Sequence, residues 1–184
     1  MLEQHTYTNN QLKLIHELRS IYLNRITLYR TLIISIVNDL DDIQYINNRL
    51  QRTSKEIAEF IEKYYVCEIA YEIEKLFSEN TQKLVELVYA LKERDTTRTN
   101  KLKIEIKNGS QGLYQILREI NPNFNEIDID EKIFDYYKML EILIIKKITK
   151  QYYDEIEFYD ILEDMVINLT DRFSTGMIEQ LKIY

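Results

Sequence analysis

Glycine and proline are nearly absent, with three glycines and one proline in 184 residues. Sheet proteins need frequent tight turns, and turns draw on those residues. Their scarcity excludes a hairpin-rich β architecture and points to a few long helices. Cysteine is just as scarce. Cys67, the only one, cannot form an internal disulfide, and with Val66 and Ile69 beside it a buried structural thiol is expected. Long apolar runs are missing too. The most apolar stretch, Asp128–Gln151, is broken by Glu141, Lys146 and Lys147, short of the roughly 20 apolar residues a membrane span needs. Basic charge is in deficit, 24 Lys and Arg against 31 Asp and Glu, a net charge of −7. That balance argues against a binder of nucleic-acid backbones or anionic lipid, which needs a positive field. The opening MLEQHTYTNNQ has neither a basic region nor an apolar core, so a cytoplasmic, reducing location is expected.

What the chain has is helical periodicity. Asp128–Gln151 carries Ile129, Ile133, Tyr136, Leu140, Leu143 and Lys147 on one face, and Phe134, Tyr137, Ile144, Ile145 and Ile148 widen the apolar arc. Asp128 with Glu131 reads as its capping box. A helix so apolar needs cover on several sides, which places it at the centre of a bundle. Residues 1–9 read as a flexible leader. Residues 10–184 read as one domain, and a length near 150 residues per domain agrees. Thr8 and Gln11 form a candidate capping box for a first helix with the stripe Leu18, Tyr22, Arg25, Tyr29, Leu32, Ile36. Asp39–Asp42 marks a break. Ile43, Ile46 and Leu50 then lie on an amphipathic segment, and Thr53 or Ser54 is placed to cap a short helix through KEIAEFIEKYY. The third long helix spans Cys67–Glu93 with Ile73, Leu76, Asn80, Leu84, Leu87 and Leu91. Asp95 or Thr96 caps the next, which Pro122 ends. A last helix carries Ile156, Tyr159, Glu163, Val166, Thr170, Phe173 and Met177.

The expected fold is all-α, an up-and-down bundle of three successive helical hairpins, about 10–65, 67–124 and 128–182, with four to six main helices. EKLF at Glu74–Phe77 and EKIF at Glu131–Phe134 suggest an internal repeat. Arg25, Asn80 and Tyr136 stand where apolar residues are expected, about 55 residues apart. If the units are related by pseudo-symmetry, the three converge in the interior. A buried arginine then needs a carboxylate, with Glu163 first and Asp171 second as candidates. The plainer alternative has Arg25 snorkelling, Asn80 satisfying a backbone group and Tyr136 serving as core.

The segments LIHELRSIYLNRITLYRTLIIS, RLQRTSKEIAEFIEKYY, LFSENTQKLVELVYALKERD, LREINPNF and DILEDMVINLTDRFSTGMIEQL, in that order, resemble small all-helical proteins of spore-forming Gram-positive bacteria. The resemblance runs from about Leu12 to Leu181. Such proteins are often labelled acetylglutamate kinase. The label does not suit this chain, because amino-acid kinases alternate strand with helix and use glycine-rich phosphate loops. The resemblance implies no established activity. It implies a histidine in each of three long helices, at places filled here by Arg25, Asn80 and Tyr136. It also implies matching positions at Arg30, Asn121–Pro122, Glu163, Asp171, Gly176 and Gln180. A metal held by such histidines would be lost here, with a fixed arginine charge in its place.

Other chemistry finds no support. A di-iron bundle needs paired Glu-x-x-His motifs, and three residues before His16 stands Lys13. One cysteine and two histidines cannot build a zinc site. Asp128, Asp130 and Glu131 lack the glycine and terminal glutamate of a calcium loop. His16 reads as a surface or satisfied core residue. The expected function is therefore non-enzymatic: protein association, including a homodimer, or small-ligand holding at a polar spot formed by Arg25, Asn80, Tyr136, Glu163 and Asp171. No cofactor is assigned. The alternative is an unknown metal or small molecule in a bundle of the family type whose histidine ligands are replaced. A helical adaptor, the third possibility, requires an exposed apolar groove.

Overall fold

The computed structural model describes residues 7–126 and 129–184. It is an all-α bundle of six helices: α1 (Asn9–Val37), α2 (Ile43–Glu62), α3 (Cys67–Glu93), α4 (Thr96–Ile120), α5 (Ile129–Ile148) and α6 (Tyr152–Leu181), with a 3₁₀ turn at Pro122–Glu126 between α4 and α5. The expected leader residues before Tyr7 and the Asp128 capping box lie outside the described residues. Among the described residues, no helix is long and apolar enough to cross a membrane.

The helices start and stop where local chemistry requires. Thr8 accepts the Gln11 amide hydrogen bond while the Gln11 side chain accepts from the Thr8 amide, so the first orphan donors of α1 are satisfied reciprocally. Asp95 caps α4 by accepting from the Arg98 amide at 2.9 Å. Asp39, Arg94 and Lys150 adopt positive φ of 55°, 59° and 58° just beyond α1, α3 and α5. A left-handed residue at that point stops a helix and reverses the chain.

α2 corrects one expectation. It is a single helix through Thr53 and Ser54, and both are buried inside it. The Thr53 hydroxyl donates back to the Leu50 carbonyl at 2.6 Å, so it is not spent as a cap. Cys67 corrects another: it is exposed. At the start of α3 Val66, Cys67 and Glu68 are exposed, Ile69 packs partly against the core, and Ala70 is the first buried residue. The neighbouring Glu68 carboxylate accepts from the thiol and pushes its pKa up.

The helices form a closed ring. Each packs on its neighbours in sequence, α6 returns to α1, and α1, α3 and α5, the leading helices of the three hairpins, also touch one another through the middle. α5 is thus one of three inner helices, not the sole centre, and its apolar arc is not fully covered. Phe134 is 49% exposed and Ile145 40%. The EKLF and EKIF segments end in different surroundings, since Phe77 is buried.

The buried apolar side chains fall into two clusters stacked along the bundle. One holds Leu14, Leu18, Ile73, Phe77, Leu113 and Phe173. The other holds Ile26, Leu32, Leu84, Leu102, Leu140 and Leu162. Tyr22 and Tyr137 pack against both. At the far end, the α4–3₁₀ corner is clamped onto α6. Buried Asn121 donates from Nδ2 to the Gly176 carbonyl at 3.0 Å, and Gln180 donates to the Ile120 carbonyl at 2.6 Å while accepting from Tyr65.

The glycines carry a direct test. A Cβ on Gly176 would lie 2.7 Å from a Phe124 ring carbon, and one on Gly109 would lie 2.1 Å from Asn80 Oδ1; on Gly112 it would meet nothing nearer than Leu76 at 3.7 Å. Gly112→Ala is therefore expected to stabilise the fold by about 1 kcal/mol through helix propensity. Gly109→Ala and Gly176→Ala are expected to cost about 1–3 kcal/mol through overpacking. Urea unfolding midpoints of the three variants check this ordering.

Candidate functional site

Arg25 lies at the waist between the two apolar clusters and is 2% exposed. A guanidinium there stays charged, and burying it costs several kcal/mol unless its hydrogens find partners. The partners are hydroxyls and π faces. Nη1 donates to the Thr53 hydroxyl and, at 3.4 Å, to Ser54. Nη2 donates to Thr81 at 2.5 Å, to the Tyr29 hydroxyl at 3.1 Å and to the Phe77 carbonyl at 3.4 Å. The guanidinium carbon also sits 5.1 Å from the ring centres of Tyr29 and Phe77, within cation–π range. One side chain therefore ties α1 to α2 and α3.

No carboxylate of the described residues belongs to this shell, and the expected pairing with Glu163 or Asp171 is corrected. Asp171 takes a bidentate bond from Arg19, at 2.5 and 2.6 Å. Glu163 is partly buried and makes no hydrogen bond or ion pair with the described residues. The reason is geometric. The Arg19–Asp171 and Arg30–Glu155 pairs fix an antiparallel register of α1 against α6 that sets Glu163 level with Arg25. Arg25 turns the other way, toward α2 and α3. Among the described residues the buried carboxylate is instead Glu155, 4% exposed, which accepts from Arg30 at 2.6 Å and lies 3.9 Å from Lys147.

Arg25 and Tyr136 do meet. Both line a cavity of about 30 Å³ together with Tyr22, Phe77, Tyr137 and Val166. The Tyr136 hydroxyl is buried without a hydrogen-bond partner. Asn80 joins the group through Tyr137, whose phenol has the Asn80 and Ser110 side chains as hydrogen-bonding neighbours. Asn80 Oδ1 lies against Gly109 and is also unpartnered. The interior polar layer is thus Tyr22, Arg25, Tyr29, Asn80, Thr81, Tyr136 and Tyr137, closed by Thr53, Ser54 and Ser110. Glu163 and Asp171 stand outside it. In the sequence Thr53 and Ser54 read only as a cap, and Thr81 and Ser110 gave no signal, because a mid-helix Ser or Thr ordinarily bonds only to its own helix.

A second feature opens to the surface. Between α4 and α5, whose mutual packing is the loosest of any neighbouring pair, lies a cleft of about 390 Å³. Leu84, Leu87, Ile106, Ile142 and Ile145 give it apolar walls, and Tyr137 and Ser110 lie at the side shared with the polar layer. Lys103, Lys107, Lys138 and Glu141 form the rim. Lys103 is neutralised by Glu141 at 2.9 Å. Lys107 sits 5.8 Å over the Phe134 ring. Neither Lys107 nor Lys138 has a carboxylate partner among the described residues.

No group of three or more His, Cys, Asp or Glu side chains suited to a metal ion occurs among the described residues, and His16 is exposed. Comparison with protein-family models, curated proteins and solved structures found no match.

The polar layer makes a pH dependence measurable. Burial pushes the Tyr22 phenol up to about 12, against the opposing pull of the Arg25 charge. Burial likewise raises Tyr136 well above its ordinary value and raises Tyr137. In the unfolded chain these phenols ionise near pH 10. The unfolded state therefore sheds protons first, so stability is full below about pH 10 and declines from there toward pH 12. A spectrophotometric titration at constant ionic strength is expected to show a late group of tyrosines that ionises only as the helix signal collapses. Smooth ionisation of every tyrosine before any helix is lost contradicts the buried layer.

Proposed function

We propose that this protein is a non-enzymatic binding bundle that holds a small anionic amphipathic molecule in the α4–α5 cleft, with the polar layer behind Tyr137 as its fixed backing. The observation that carries the reading is the cleft's composition. Its volume of about 390 Å³ falls in the range of about 300–1,000 Å³ typical of small-molecule sites, and such sites join apolar walls to a few polar groups. Its rim carries two lysines with no carboxylate partner among the described residues, on a protein of net charge −7. That local reversal of sign selects an anionic head group, while the walls take an alkyl or aryl body.

The cavity beside Arg25 is too small for such a ligand. The role first assigned to the interior polar spot therefore becomes structural support for the cleft. Association remains a second reading because of the exposed Tyr152, Tyr153 and Ile156 on the first turns of α6. A second copy of this chain covering them would show as a dimer in sedimentation, abolished by Ile156→Asp.

Decanoate tests the cleft. It is expected to bind by calorimetry, and decylamine, with the same chain and the opposite charge, is not. The double variant Lys107→Glu/Lys138→Glu is expected to weaken decanoate binding by about tenfold or more, since reversing two exposed charges is worth roughly 1.4 kcal/mol. Equal binding of decanoate and decylamine, or no binding of either, overturns the reading.

A further inference from the structure

The rim of the α4–α5 cleft carries a carboxylate of its own. Lys103 and Lys107 share one face of α4, and Lys138 and Glu141 share one face of α5, by helical spacing. All four line the cleft. Two contacts set the register across it. Lys107 sits 5.8 Å over the Phe134 ring, and Lys103 donates to Glu141 at 2.9 Å. The step from Lys107 to Lys103 on α4 therefore matches the step from Phe134 to Glu141 on α5, and Lys138 lies between the two crossings. Three ammonium groups gather at one rim. Among the described residues that line the cleft, Glu141 is the one acidic side chain.

Glu141 is not an ordinary surface partner. Its side chain is 19% exposed, against 46% for Lys103, and a partly buried charge is screened less than an exposed one. It opposes an incoming anion in two ways. Its charge repels the anion, and its oxygen occupies the Lys103 ammonium that a head group would otherwise use. A carboxylate fixed to the wall has the same sign, and the same need for donors, as the head group of an anionic amphiphile. Resting on the reading of the cleft as a site for such a molecule, we infer that Glu141 is a tethered competitor for the head group. It holds Lys103 in the free protein, and the ligand must take Lys103 from it. Glu141 thereby sets the affinity of the cleft without supplying any attraction to the ligand.

The test is calorimetry of decanoate with the full chain and its variants. Glu141→Gln keeps the size of the side chain and removes its charge. It is expected to bind decanoate about three- to tenfold more tightly than the unaltered chain, because one repulsion is removed and one attraction gained, each of the size of an exposed charge pair. Adding Lys103→Met to Glu141→Gln is expected to remove most of that gain. Glu59→Gln lies on α2, which packs on α1 and α3. It makes the same change in net charge and is expected to leave decanoate affinity unchanged. Binding by the unaltered chain with equal or weaker binding by Glu141→Gln overturns this inference and leaves the reading of the cleft standing. An equal gain in Glu59→Gln, or a gain fully kept when Lys103→Met is added, also overturns it. No decanoate binding by either the unaltered chain or Glu141→Gln overturns the reading of the cleft and this inference with it.

Discussion

The structure depends on keeping one guanidinium charged and out of water. Arg25 occupies an inward position on α1, where its stripe otherwise carries Leu18, Tyr29, Leu32 and Ile36. The cost of that burial is offset only if the facing helices present oxygen to it. α2 does so with Thr53 and Ser54, and α3 with Thr81 and the Phe77 carbonyl. These demands set the register of three helices at once. They also explain why α2 runs straight through a Thr-Ser pair that would serve well as a cap. In isolation those hydroxyls favour a helix start, but here tertiary packing uses them inside the helix.

The same layer divides the core. Apolar side chains pack above and below it in two clusters, with Tyr22 and Tyr137 spanning the boundary. A uniform apolar core would tolerate slippage of one helix along another. A polar layer with directed bonds does not, because a shift by one turn leaves a buried charge without partners. The opposite constraint acts at the far end, where Asn121, Gln180 and the close approach of Gly176 to Phe124 fix the α4 corner on α6. α4 is thus held firmly at that corner and along α3, while its contact with α5 stays thin. The cleft is the gap left by that arrangement, and α5 supplies its exposed Phe134 and Ile145 because no helix covers that side.

Much of the fold was legible because helix ends are written in short-range chemistry. Thr8 with Gln11, Asp95 and Pro122 each mark a boundary that the structure keeps. Arg25, Asn80 and Tyr136 were visible as breaks in apolar stripes, and all three lie in or against the same layer. Their partners were not visible. Electrostatic reasoning favoured a carboxylate for Arg25, and the α1–α6 register does set Glu163 at the right height. Which side of α1 faces which neighbour depends on the whole ring closing, a property no local pattern carries. For the same reason the cleft was illegible. Phe134 and Ile145 read as core because periodicity reports a wide apolar arc but not whether a neighbour arrives to cover it. Cys67 was misread as buried because only Ile69 of its two apolar neighbours packs on the core, while Val66 is exposed with it.

The central claim, a buried guanidinium held rigidly by hydroxyls, is tested most directly by nitrogen-detected NMR of the arginine side chains. Bonds from Nη1 to α2 and from Nη2 to α3 hinder rotation about the Cζ–Nε and Cζ–Nη bonds. Arg25 is expected to give separate, slowly exchanging signals for its two Nη groups at neutral pH, and these signals are absent from Arg25→Met. A single averaged Nη resonance for Arg25, exchanging with water as fast as those of the surface arginines, would contradict the account.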